Sequence, residues 1–108
     1  MKLCFALDLA DDKKLIEEYE EWHKSVWPEI IESIKTSGIT NLEIYRVFNR
    51  LFMIMETNDH FSLEKKGEAD KNNPKVQEWE ELMWKYQRSI PGARPGEKWQ
   101  LMHKIFKL

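Results

Sequence analysis

Three side chains in the first third of the chain have the types and spacing that proton chemistry on a small polar ligand needs. Tyr19, His23 and Trp27 stand four residues apart within YEEWHKSVWPE, residues 19–29. Residues four apart on a helix are neighbours on one face. An imidazole gives or takes a proton at little cost near neutral pH. A phenol beside it can hydrogen-bond a ligand or hold the ring, and indoles can stack on an apolar ligand face. Pro28 has no N–H for the carbonyl of Lys24, and its ring pushes Trp27 away from helical geometry. The expectation is a kink, or a break with Pro28 as the first residue of a second helical segment. Either opens room over His23. The competing reading is structural, because a histidine on an apolar helix face is more often a satisfied core residue, and Trp27 or Trp79 alone would be core.

Other chemistry finds little support. His23, His60 and His103 lie far apart, with no His-x-x-x-His pair and one cysteine, so no metal site is expected. No Gly-rich phosphate loop or nucleophile elbow occurs. EEYEE, EKKGEADK and EWEE read as solvated helix faces. His103 alternates with Leu101 and Ile105 and reads as a structural strand position.

The elements that must position the candidates follow from periodicity. Leu3, Phe5, Leu7 and Leu9 alternate in KLCFALDL, which predicts a strand over 2–9. Asp11 or Asp12 caps a helix whose apolar residues recur at three- and four-residue steps from Leu15 to Ile34, with Gly38 beyond its end. ITNLEIYRV and LFMIMET, within 39–58, predict a β-hairpin turning near Asn49 and Arg50. Residues 62–75 predict a short helix and a mobile loop. Asn73 caps a helix opening at Pro74, with Val76, Trp79, Leu82, Met83 and Tyr86 on its apolar stripe. PGARPG at 91–96 is a turn-rich loop, and WQLMHKIFKL closes the chain as a strand. The order β-α-β-β-α-β is that of a ferredoxin-like fold, an α+β domain with helices on one face of an antiparallel sheet. The other face needs a second subunit or a ligand pocket to cover it.

At 108 residues the chain is sized for one domain, 1–108. Its net charge of −2 with interspersed signs leaves no basic stripe, so nucleic acid is not an expected partner. The longest apolar run, LFMIM, is too short to span a bilayer, no signal-peptide pattern is present, and the single Cys4 fits a reducing cytoplasm. Five tryptophans in so short a chain are either core or the walls of an apolar ligand site.

Three segments carry a family resemblance. EEYEEWHKSVWPEI resembles the E-Y-x-x-x-H-x-x-x-W-P-E stretch of the L-rhamnose mutarotase family, GITNLEIYRVFNRLF resembles its hairpin, and VQEW at 76–79 is similar to its second-helix Trp motif. The resemblance implies a cofactor-free isomerase interconverting the α and β anomers of a 6-deoxyhexose, on a dimeric, ferredoxin-like α/β barrel. Carried over by position, His23 matches the catalytic histidine, Tyr19 the sugar-binding tyrosine and Trp79 the first of paired tryptophans. Two positions depart from the pattern: Leu42 stands where a sugar-binding tyrosine is found, and Glu80 where the second tryptophan is found. Both would touch substrate, so L-fucose joins L-rhamnose as a candidate. On this reading His23 protonates the ring oxygen, water or a polar group handles the anomeric hydroxyl, Trp79 and Trp27 stack on the sugar, and Leu42 meets its methyl group. The competing functions are a cofactor-independent monooxygenase or haem-handling protein on the same architecture, a non-catalytic sugar-binding module, and an interaction domain with a purely structural aromatic core.

Overall fold

The computed structural model describes Met1 through Leu108. Strand β1 (Lys2–Leu9) buries Phe5, Leu7 and Leu9 on one face, as its alternation requires. Strands β2 (Ile39–Val47) and β3 (Arg50–Thr57) form the expected hairpin. Val47 pairs with Arg50, and Phe48 turns the chain with φ at 52°, a left-handed conformation uncommon for a residue with a side chain. β3 runs antiparallel to β1, placing Phe5 opposite Met53 and Leu7 opposite Leu51.

Pro28 breaks the first helical stretch rather than bending it. Helix α1 (Lys13–Trp22) starts where the Asp12 carboxylate accepts from the Leu15 amide, and it ends one residue before His23. Helix α2 (Pro28–Thr36) begins with the proline at its first position, where a missing N–H costs nothing. Helix α3 (Leu63–Lys71) is capped by Ser62 and buries none of its residues. The loop expected beside it shrinks to Asn72 and Asn73. The Asn73 side chain accepts from the amides of Lys75 and Val76 to start α4 (Pro74–Trp84).

Two short strands complete the sheet, whose order is β2-β3-β1-β4. β4 (Gln87–Arg88) pairs with the Asp8–Leu9 end of β1, and β5 (Gln100–Leu101) pairs with Phe5 and Ala6 farther along the same edge. The closing strand expected over 99–108 is therefore reduced to two residues. Leu101 faces Phe5 and the Met102 amide still donates to the Cys4 carbonyl, but the strand ends at Leu101. His103 is exposed rather than built into a strand. The sheet is also open rather than closed into a barrel, with β2 at one end of the strand order and β4 at the other.

The helices cover one face. Leu9 and Leu51 from the sheet meet Tyr19, Ile30, Val76, Trp79, Met83 and Tyr86 from α1, α2, α4 and the turn after α4 in one core cluster. A second cluster joins Phe5, Ile39, Met53, Met55 and Phe61, and Ile34, Ile44 and Trp99 pack against both.

Candidate active site

The end of α1 puts His23 where its ring can leave the helix surface. Its Nδ1 lies 2.8 Å from the Tyr19 carbonyl oxygen. A carbonyl only accepts, so Nδ1 carries the proton and donates it; the neutral ring then has a bare lone pair on Nε2. The backbone N–H of His23 turns to the Glu20 carbonyl at 3.1 Å instead. Burial pushes the His23 pKa below its ordinary value, outweighing the opposing bond to the Tyr19 carbonyl.

Aromatic rings fix this imidazole on two sides. The Tyr19 ring lies 4.4 Å away between centroids, and Trp79 presents an edge at 5.7 Å. Tyr19 is only 3 % exposed, and its phenol is pushed up to about 12 by burial, against the hydrogen bond from Gln87, so it stays protonated. Trp79 in turn touches Trp27 at 5.1 Å and Trp22 at 6.3 Å. Behind this group the Trp22 indole N–H donates to the Tyr86 hydroxyl, and Tyr86 donates to Glu18, tying α1 to the end of α4.

Beside these rings opens a cavity of about 560 Å³ between the helices and strands β2 and β3. That lies within the range of roughly 300–1,000 Å³ usual for small-molecule sites. Its walls are mostly apolar, with polar groups from Tyr19, His23, Asn41 and Gln87. A second chamber of about 330 Å³ shares Leu42, Trp79, Gln87 and Trp99 with the first, so the two form one cleft. The second chamber ends in Glu80 and Lys98, with the Lys98 ammonium donating to the Glu80 carbonyl at 3.1 Å. Burial lowers the Lys98 pKa, partly countered by the Glu80 charge.

The residues singled out from the sequence fall into three groups. Tyr19, His23, Leu42 and Trp79 line the main chamber together. Glu80 lines only the second one. Trp27 lies on neither wall; it backs Trp79 and receives the Lys75 ammonium 5.8 Å from its ring centroid. Sequence reasoning missed Gln87 and Trp99. Gln87 is a polar residue just past a helical stripe and carries no periodic signal. Trp99 was read only as the start of a strand. No group of three His, Cys, Asp or Glu side chains comes together to hold a metal ion, and no helix is long and apolar enough to cross a membrane.

Fold and cleft together define a small α+β domain with a titratable, aromatic-walled site of small-molecule size. The sequence profile of the L-rhamnose mutarotase family matches residues 2–108. The chain is 44% identical over 109 residues to an L-fucose mutarotase from Xanthomonas campestris, covering 99% of this chain and 87% of that one. It is 29% identical to an L-rhamnose mutarotase from Paraburkholderia phytofirmans, over 85% of this chain and 82% of that one. A crystal structure of L-rhamnose mutarotase from Formosa agariphila superposes with a TM-score of 0.73 at 22% identity, covering 100% of this chain and 98% of the other. The protein belongs to the L-rhamnose mutarotase family. It is a carbohydrate isomerase that interconverts sugar anomers, which sets aside the oxygenase-like and binding-only alternatives.

Proposed function

We propose that residues 1–108 fold as one mutarotase domain that opens and recloses a 6-deoxyhexose, L-fucose before L-rhamnose, with His23 as the proton-transfer group. The observation that carries this is the imidazole pinned through Nδ1, which leaves Nε2 free beside a cavity of about 560 Å³, room enough for a monosaccharide. The preference for L-fucose is supported by the 44% identity to a relative of that name and by Leu42 and Glu80 replacing the aromatic residues of the family pattern.

Neutral at pH 7, His23 starts as a base. Nε2 takes the proton of the anomeric hydroxyl as O1 forms a double bond to C1 and the bond from C1 to the ring oxygen breaks. The ring oxygen, attached to the same carbon, then receives that proton from the imidazolium. This differs from the expectation from sequence in one respect: His23, rather than water or another polar group, takes the anomeric proton, while the ring oxygen is still protonated by His23. Rotation about C1–C2 presents the other carbonyl face, and the same steps run backwards. No atom or electron is gained or lost. Tyr19 donates to a sugar oxygen, Trp79 stacks on the C–H face of the ring and Leu42 meets the 6-methyl group. Trp27 holds Trp79 in place, and Glu80 meets a hydroxyl reaching into the second chamber.

The enzyme acts on its monosaccharide as a homodimer, in a cytoplasmic setting suited to the lone thiol of Cys4. Support for a second copy comes from apolar surface that one copy leaves open. Ile105 is 91% and Phe106 77% exposed in the tail, and Tyr45 and Val47 are exposed on the sheet face away from the helices. Sedimentation of the full chain and of a chain ending at Met102 tests this: the first is expected to run as a dimer and the second as a monomer, and a monomeric full chain refutes it.

Saturation-transfer NMR on equilibrated sugars tests the function. Added protein is expected to transfer saturation between the α and β signals of L-fucose, more weakly for L-rhamnose and least for common hexoses. Shifted or broadened signals without transfer in any of these sugars overturn the reading.

A further inference from the structure

Gln87 has a place in the site that its chemistry does not explain as packing. It opens β4, where its backbone pairs with Leu9, and only 4% of it is exposed. Its Nε2 donates to the Tyr19 hydroxyl at 3.2 Å, while its Oε1 is buried without a partner. Both residues line the cavity that His23 faces. A buried amide with one end unsatisfied is less favourable than an apolar side chain of similar shape, so stability alone does not account for it. Turning the amide over strands no fewer groups, two N–H donors in place of one N–H and the carbonyl oxygen, and the phenol would then spend its hydrogen on Gln87.

What the amide does is fix the sense of a hydrogen bond. A phenol oxygen that accepts from Gln87 keeps its own hydrogen free for another acceptor, and the cavity is where a ligand can supply one. We propose that Gln87 is a positioning residue that acts through Tyr19, holding the phenol oxygen so that its hydrogen is presented to a sugar oxygen. This rests on the reading of the cleft as the sugar site. The unsatisfied Oε1 is then the stability cost of a donor aimed at substrate, in line with the clustering of such violations at functional sites.

The test is a double-mutant cycle read by anomeric exchange over a range of L-fucose concentrations. Gln87→Met removes the donor while keeping the bulk. It is expected to raise KM about tenfold with kcat within about twofold, the loss of one hydrogen bond to bound sugar. In a Tyr19→Phe background, Gln87→Met is expected to change KM less than about twofold, since the group it acts through is gone. Its melting temperature is expected to match or exceed that of the unaltered protein. Gln87→Asn, too short to reach the phenol, is expected to raise KM like Gln87→Met. An unchanged KM in either single variant, equal KM effects with and without Tyr19, or a Gln87→Met protein that melts well below the parent or fails to fold would overturn the proposal. Failure of the underlying sugar reading is separate and visible first, as absence of exchange by the unaltered protein.

Discussion

Replacing His23 by alanine separates the chemical role of the ring from its structural one. The substitution removes the hydrogen bond to the Tyr19 carbonyl, formed at 2.8 Å, and the ring contacts with Tyr19 and Trp79. Each of the three is worth about 0.5–1.5 kcal/mol. Their sum, about 1.5–4.5 kcal/mol, is a fraction of the roughly 5–15 kcal/mol that holds a domain of this size together. The variant is therefore expected to fold and to melt lower by about 6–36 °C, given about 4–8 °C per kcal/mol for small domains. Catalysis is expected to fall far more, by about 10²–10⁴-fold, the usual contribution of a general acid–base group. The assay is saturation transfer between L-fucose anomers at 25 °C, with the fold checked by circular dichroism in the same sample. Free imidazole, which fits the space the ring vacates, is expected to restore part of the rate. A folded variant that exchanges anomers at the parent rate would remove His23 from the mechanism.

Acid is expected to slow the reaction and loosen the fold in the same window. Burial holds the His23 pKa below 6.5, so below that pH the unfolded chain binds a proton that the folded one resists, and stability declines as pH falls from about 6.5 through the folded value. A pH profile of exchange is expected to be level near neutrality with an acid limb centred below 6.5, and a rate that climbs on acidification would reverse the proton-accepting role. Trp79→Ala is expected to cost about 3–5 kcal/mol in urea unfolding, because Trp79 is the buried ring against which Trp22, His23 and Trp27 all pack; a loss under 1 kcal/mol would mean that hub is not built as described. Phe48→Gly is expected to raise stability by about 0.5–1 kcal/mol, since a φ of 52° strains any residue with a Cβ, and a destabilised variant would show that the exposed ring makes a stabilising contact.

Strong local signals made much of this molecule readable from its letters. Alternation in KLCFALDL, the Asn73–Pro74 start of α4 and the proline after Trp27 each act within a few residues of themselves. The cluster of Tyr19, His23 and Trp79 was legible because a helical spacing and a family motif pointed to the same rings. Gln87, Trp99 and Lys98 were not, because they reach the cleft through tertiary packing of a two-residue strand and a loop, which leave no period to detect. The last strand was overlong in the reading: WQLMHKIFKL has strand composition along its length, but only Gln100 and Leu101 pair with β1. Trp27 carried the right residue type at the right interval, yet the turn before Pro28 sends its ring behind Trp79.

A helix that continued past Trp22 would hand the Tyr19 carbonyl to the His23 amide, as every interior turn does. Because the coil stops there, that oxygen is left over and the imidazole of His23 claims it. Which ring nitrogen is protonated is thus decided by where the backbone stops winding.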